Sequence, residues 1–397
     1  MVSMDFAATG LDDSAAMHHE IREAVRAIAA RRGLPEYAER GRASAPQTEL
    51  WEELGEAGFI GINVPEQFGG GGAGMSELAV VAEASASVGC PLLLILVSSA
   101  ISVEVLARHG SAEQQHEWLT RLADGSTKMA FAITEPDAGS NSHRIATTAR
   151  RDGIGDDAGY VIRGSKYFIS GVGESAAILT VAATGHDEAT GRAQLSLFIV
   201  PTDAPGLTVQ DLPVAAQIPD RQSTLFYDDV HVPASALVGE EGAGLSLLFD
   251  GLNPERISAA AICVGIGRFA VEKAAAYVSE RTVWKLPLGS HQGVAHPLAK
   301  AAIEVELAWL MTQKAAALHD AGRPAGAESN MAKYAAAEAA IHAIDAAIQA
   351  HGGNGLTVEF GLVQLYGMAR LLKIAPVNSE MILNYVATHV LGMPKSY

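Results

Sequence analysis

Tyr160-Val161-Ile162-Arg163-Gly164-Ser165-Lys166-Tyr167-Phe168-Ile169-Ser170-Gly171 lies near the middle of a 397-residue chain and carries no helical period. Two short β-branched and aromatic runs, Tyr160-Val161-Ile162 and Tyr167-Phe168-Ile169, are bounded by glycine, which reads as strand and turn. Residues 193–201 and 223–232 have the same character, so the chain from about Met129 to Pro233 reads as β. Upstream the period changes. Ile21, Val25 and Ile28, then Leu50, Leu54 and Phe59, recur at helical spacing, and residues 11–125 read as helices. Downstream of Gly239 come Ala-rich amphipathic stretches at 254–280, 297–321, 328–350 and 377–391, four long helices that suggest an up-and-down bundle. An order of helices, then strands, then helices predicts an α+β fold, because a doubly wound sheet needs strands alternating with helices.

Composition narrows the function. Half the residues (49%) are hydrophobic and 18% are charged, against a usual charged share of about 25%. A chain this long and apolar supports two or three cored domains. Lys and Arg number 28 against 45 Asp and Glu, a net charge of −17 that repels phosphate backbones and anionic membrane surfaces; no nucleic-acid or membrane partner is expected. Phosphate-bearing ligands must then be met by a few local arginines or backbone turns. Cys90 and Cys263 sit in apolar stretches and read as buried hydrophobes, with no disulfide. Met1 to Phe6 lack the basic-then-apolar pattern of an export signal, and the apolar run at 91–103 is too short to span a membrane, so it reads as a buried helix in a cytoplasmic protein. Gly69 to Gly72 reads as a loop, since no Lys-Ser/Thr follows it. His18-His19 reads as solvated, and no metal site is expected. No Gly-x-Gly-x-x-Gly follows a strand, which disfavours a Rossmann site and leaves room for a flavin between domains.

Phe131-Ala132-Ile133-Thr134-Glu135-Pro136-Asp137-Ala138-Gly139-Ser140-Asn141 resembles the signature segment of the acyl-CoA dehydrogenases. The resemblance continues in order through residues 164–171, through Arg281-Thr282-Val283-Trp284 with Pro287 and Gln292, and through Gln349-Ala350-His351-Gly352-Gly353-Asn354-Gly355. It implies a helical N-terminal domain (1–128), a central β-barrel (129–238) and a C-terminal four-helix bundle (239–397). It also implies FAD. A flavin needs apolar or aromatic walls and a few hydrogen bonds to its edge. By resemblance Thr134 and Ser170 bond that edge, Phe168 covers the ring beside Phe131 and Ile133, and Ser140 lies near the acyl-CoA. The family more often has Tyr, Trp and Thr at positions 131, 168 and 170. Arg281, Gln292, Gln349 and the Gly352-Gly353 turn match positions that bind the FAD pyrophosphate and adenosine, partly across a subunit boundary, which implies a homodimer or homotetramer. Trp284 replaces a common Phe and is expected to fill space.

Removing the α-proton of a thioester while the β-hydrogen leaves as hydride requires a base, in this family a glutamate. Matching residues 369–371 and 379–381 to the family without a gap puts Pro376 where the usual glutamate stands. A minority, the isovaleryl-CoA and long-chain types, carry the base before an arginine on a bundle helix, and this chain has Asn253-Pro254-Glu255-Arg256 there. Glu255 is the expected base, with Asn253 read as N-cap and Pro254 as first helical residue, so that the helix N-terminus favours the carboxylate while burial beside flavin and acyl chain favours the neutral form, leaving a base of intermediate strength. Glu380 is the rival. Arg256, with Arg281, is expected to meet substrate or cofactor phosphates. The proline lacks the N–H that ordinarily bonds the thioester oxygen. The expected reaction is FAD-dependent dehydrogenation of an acyl-CoA, or of an acyl carrier protein thioester, to a trans-2-enoyl thioester, with an electron-transfer flavoprotein as acceptor. A flavin oxidase or monooxygenase, and an acyl-thioester-binding flavoprotein without turnover, remain alternatives.

Overall fold

A computed structural model describes residues 13–153, 158–186 and 192–395; Met1 to Phe6, read above for an export signal, lie outside the described residues. Helices α1 (Asp13–Ala29), α2 (Gly33–Ala43), α3 (Thr48–Glu56) and α4 (Met75–Ala86) come first. The apolar run that follows is buried as expected, in a widened π-helical segment, Ile95–Ser102, leading to α5 (Val103–His109) and the short α6 (Ala112–Gln114) and α7 (Thr120–Ala123). Gly69 to Gly72 is a loop, with the Gly71 and Gly72 N–H groups taken up by the carbonyls of Gly61 and Val64. Among the described residues no helix is long and apolar enough to cross a membrane.

In the middle of the chain the described residues form eight strands: β1 (Met129–Ala132), β2 (Thr148–Asp152), β3 (Gly159–Ser170), β4 (Ala177–His186), β5 (Ala193–Pro201), β6 (Leu207–Leu212), β7 (Gln222–Pro233) and β8 (Leu237–Val238). They pair in the order β6-β7-β3-β2-β4-β5-β8, with β1 parallel to β4. The pairing path is open at β6 and β8, so the α+β character stands while the described residues form no closed barrel.

The C-terminal third is helical: α8 (Gly244–Glu280), α9 (Gln292–Asp320), α10 (Gly326–His351), α11 (Leu362–Ile374) and α12 (Ser379–Tyr385), with the hairpin β9 (Thr282–Val283) and β10 (Leu286–Pro287) between the first two. Two expectations fail here. The first bundle helix begins at Gly244 rather than Pro254, and Pro254 lies inside it. Leu247 and Leu248 are buried against strand residues such as Leu195 and Leu197, and this tertiary burial carries the helix through a residue that ordinarily breaks one. Asn253 is therefore no N-cap, and Glu255 gains nothing from a helix N-terminus. The fourth bundle helix is α11, which buries Leu362, Leu365, Met368, Ala369 and Leu372 against α8 and α10. Residues 377–391, expected to be that helix, begin with Asn378 as the N-cap of α12, its side chain accepting from the Met381 N–H at 2.8 Å.

Small residues set the bundle's spacing. On α10, Ala332, Ala336, Ala339, Ala340, Ala343 and Ala347 are all buried. Where α8 crosses α4, a Cβ on Gly265 would sit 2.3 Å from the Glu83 carbonyl, so only glycine permits that approach. Glu83 itself is fully buried and accepts from Arg22 Nε (2.9 Å) and Arg268 Nη1 (2.7 Å), while Arg268 Nη2 reaches Glu306 at 3.0 Å. Both guanidinium groups stack over Trp309.

Candidate active site

β1 delivers Phe131 at 8% exposure and then gives way to an irregular turn carrying half-buried Ile133 and Thr134. Glu135 and Lys166, which the motifs contain but give no role, hold this turn in place. Glu135 accepts from the Ala146 N–H (2.7 Å), the Thr147 N–H (2.9 Å) and Lys166 Nζ (2.9 Å). Lys166, fully buried in β3, also donates to the Ile133 carbonyl at 3.0 Å. Burial alone would raise the Glu135 carboxyl, but Lys166 and the two N–H groups outweigh it and hold the group below its usual range. The lysine is pushed down to about 8 by the same burial, against the pull of Glu135.

Across this turn, β3 slips out of register with β7 between Lys166 and Ile169. The bulge frees Tyr167 N–H to donate to the Thr134 carbonyl at 2.8 Å and turns Phe168 outward at φ 59. A non-glycine residue in the left-handed region, with an aromatic ring 54% exposed, is a strained and poorly covered position. Beside it Ser170 donates to Gln222 Oε1 at 3.0 Å, and the Thr134 hydroxyl has no partner among the described residues. No atom lies within 4 Å of where a Cβ on Gly139 would stand. An exposed ring, an unpaired hydroxyl and open space fit a planar apolar group with a polar edge, as a flavin ring is.

Glu255 lies on α8 at 7% exposure, and among the described residues neither carboxylate oxygen has a hydrogen-bond or ion-pair partner. Burial pushes this carboxyl up to about 8, opposed by Arg256 and Lys333. A partnerless, desolvated carboxyl is a proton acceptor in waiting. Arg256 is half-buried beside it, donating to Asn253 Oδ1 at 3.1 Å and lying near Tyr385, so it sits at the base rather than with the surface cations. Glu380, the rival, is exposed on the first turn of α12. Ser140 is exposed, and its hydroxyl accepts from Asn378 Nδ2 at 3.1 Å, which ties the β1 segment to the turn before α12.

The remaining site residues form a second group. Arg281 follows α8, is exposed, and has no side-chain partner among the described residues. Gln292, Gln349, Gly352 and Gly353 are exposed as well, and no atom lies within 4 Å of a Cβ built on either glycine. Gln349 lines a cavity of about 370 Å³ with Gly293 and Val294, next to Gln292, and none of the β1 and β3 residues shares that cavity. An unpaired guanidinium and open glycine backbone fit a phosphate-bearing tail. Trp284 does not fill space: it is 86% exposed at the tip of the β9–β10 hairpin. Of the two histidines expected to be solvated, His19 is exposed, whereas His18 is half-buried with its Nε2 2.7 Å from Glu77 Oε1.

Comparison with known proteins bears on this arrangement. Residues 15–126, 130–230 and 242–391 match the models for the acyl-CoA dehydrogenase N-terminal, middle and C-terminal domains. Acyl-CoA dehydrogenase FadE12 of Mycobacterium tuberculosis is 52% identical over 95% of this chain and 96% of its own length. A glutaryl-coenzyme A dehydrogenase in complex with glutaryl-CoA superimposes with a TM-score of 0.88 at 28% identity, covering 98% of both chains. A glutaryl-CoA dehydrogenase from Mycobacterium smegmatis in complex with FADH2 gives 0.87 at 25% identity over 98% of this chain and 96% of that one. With three consecutive domain models matched and a relative at this identity over nearly its whole length, the chain belongs to the acyl-CoA dehydrogenase family.

Proposed function

We propose that this chain dehydrogenates an acyl-CoA thioester to the trans-2-enoyl thioester, with Glu255 removing the α-proton. The observation that carries the assignment is the buried carboxyl of Glu255, raised toward neutrality and without a hydrogen-bond or ion-pair partner among the described residues, while Pro376 stands at the usual position and Glu380 faces solvent. The family is FAD-dependent, and FAD when bound supplies the acceptor for the β-hydride. Thr134 and Ser170 present hydroxyls to the flavin edge, and Phe131, Ile133 and Phe168 wall its ring. Arg281, Gln292, Gln349 and the Gly352-Gly353 turn take the pyrophosphate and adenosine. Ser140 and Arg256 serve the substrate side, Ser140 at the mouth and Arg256 beside the base. Acyl-CoA is the expected carrier, with an electron-transfer flavoprotein as acceptor and the cytoplasm as the site of action.

Glu255→Gln tests the base directly. Anaerobic mixing with acyl-CoA should bleach the flavin of the native protein and leave that of the variant oxidised, with binding retained; equal bleaching would assign the base elsewhere. Stopped-flow reoxidation separates this reading from an oxidase, since reduced protein should react slowly with air and fast with the acceptor. The free Arg281 and open Gly352-Gly353 support completion of the cofactor site by a second copy, as does the exposed apolar surface of Trp284, Leu286, Leu356 and Val358. Light scattering should give a mass of at least two chains.

A further inference from the structure

Lys333 lies on the inward face of α10 with 1% of its surface exposed. Its ammonium donates to the Lys373 carbonyl at 3.1 Å and to the Val377 carbonyl. Those acceptors bracket the turn from α11 to α12, which contains Pro376, and the first is one of the carbonyls that a helix end leaves without an internal partner. Two neutral carbonyls satisfy donors without cancelling charge. Among the described residues no carboxylate bonds Lys333: Glu338, further along α10, accepts from Lys373 Nζ at 2.7 Å. The charged and titratable groups around the ammonium are Glu255, Arg256 and Cys263 on α8 and Glu338 on its own helix. Those around Glu255 are Arg256 beside it and Lys333 across the bundle, with Tyr385 of α12 facing Arg256.

We infer that Lys333 is a positioning residue for proton abstraction: fixed by two carbonyls of the 373–377 turn, it presents from a second helix the charge that favours the carboxylate form of Glu255. The inference rests on Glu255 as base. Arg256 alone is not equivalent, because it shares a helix with the glutamate and bonds Asn253, whereas Lys333 fixes both the charge and the turn that replaces the family's usual catalytic segment. Burial pushes the lysine down to about 8, with Cys263 and Glu255 opposing, and pushes Glu255 up to about 8, so each group's protonation depends on the other.

The test is the pH dependence of anaerobic flavin bleaching by octanoyl-CoA or isovaleryl-CoA, whichever reduces the native holoenzyme. Lys333→Met removes charge and donor, Lys333→Gln keeps a donor for a carbonyl without the charge, and Lys333→Arg keeps the charge. The acid limb should move up by about one unit in the Met and Gln variants, a loss of roughly tenfold where the limb is limiting, and return toward the native position in the Arg variant. An unmoved limb in the folded Gln variant, or an Arg limb displaced as far as the Gln limb, overturns the inference, whatever uniform loss of rate accompanies it. Bleaching retained by Glu255→Gln identifies instead a failure of the base assignment.

Discussion

A carboxyl held at about 8 in the folded chain and near the usual 4.3 in the unfolded one makes Glu255, the proposed base, a drain on stability. Because the folded value is the higher, the favourable contribution is complete below the unfolded value and is lost as pH rises through the folded value. Glutamine does not titrate. Glu255→Gln should therefore gain in thermal stability relative to the native protein between pH 5 and pH 9, by about 2 °C or more, while losing turnover. Melting of the two holoproteins across that range checks this; a difference independent of pH would mean the carboxyl is unshifted. The sequence points to Glu255 through its motif and foresees its burial, but not the loss of the opposing influence. No helix N-terminus offsets that burial, because the helix begins at Gly244, ten residues before the expected Pro254, and burial decides the matter. Lys333, the cation across the bundle, is 78 positions away and carries no local signal in an Ala-rich helix.

Among the elements, those with a strong local period were legible and those decided by distant packing were not. The strands around Tyr160 and Tyr167 announced themselves by composition, but the bulge that turns Phe168 outward depends on β7, more than fifty residues later. The α11 helix has buried positions at 362, 365, 368, 369 and 372, a helical spacing available in the sequence, yet its last turn was read only as a displaced catalytic motif. The Glu135–Lys166 pair has no local signal, because its members lie in separate segments 31 residues apart and neither segment shows that the two meet. Lys166→Met should leave Glu135 buried without its cation and cost about 3 kcal/mol in denaturant unfolding, with looser flavin retention. Adding Glu135→Gln should recover part of that loss, and the coupling in the double-mutant cycle measures the pair. Additive losses would show that the backbone N–H groups alone hold the turn.

Over the whole molecule, net charge and hydrophobic share were readable at once, and they describe the setting rather than the mechanism. A balance of −17 means that anionic ligands are met by particular groups, and Arg281, exposed and without a side-chain partner among the described residues, is the group proposed for that role. What joins the N-terminal helices to the bundle is also charge, placed where composition cannot show it. Glu83 of α4 meets Arg22 of α1 and Arg268 of α8, which are 61 and 185 residues distant, and Arg268 continues to Glu306 of α9. Burial by itself would raise the Glu83 carboxyl, but the two arginines outweigh it and hold the group below its usual range. The sign is opposite to that at Glu255. With the folded value depressed, the contribution is present above the unfolded value near 4.3 and is lost as pH falls through the folded one. Glu83→Gln should cost about 3 kcal/mol at pH 7, since two arginines lose their shared buried counter-ion. The variant should also show a shallower loss of stability between pH 5 and pH 3 than the native chain. Denaturant titrations across that range decide the point: parallel acid limbs would mean that Glu83 does not set the acid stability of the helical assembly, and converging limbs would show that the link between the first helices and the bundle fails when this one carboxylate is protonated.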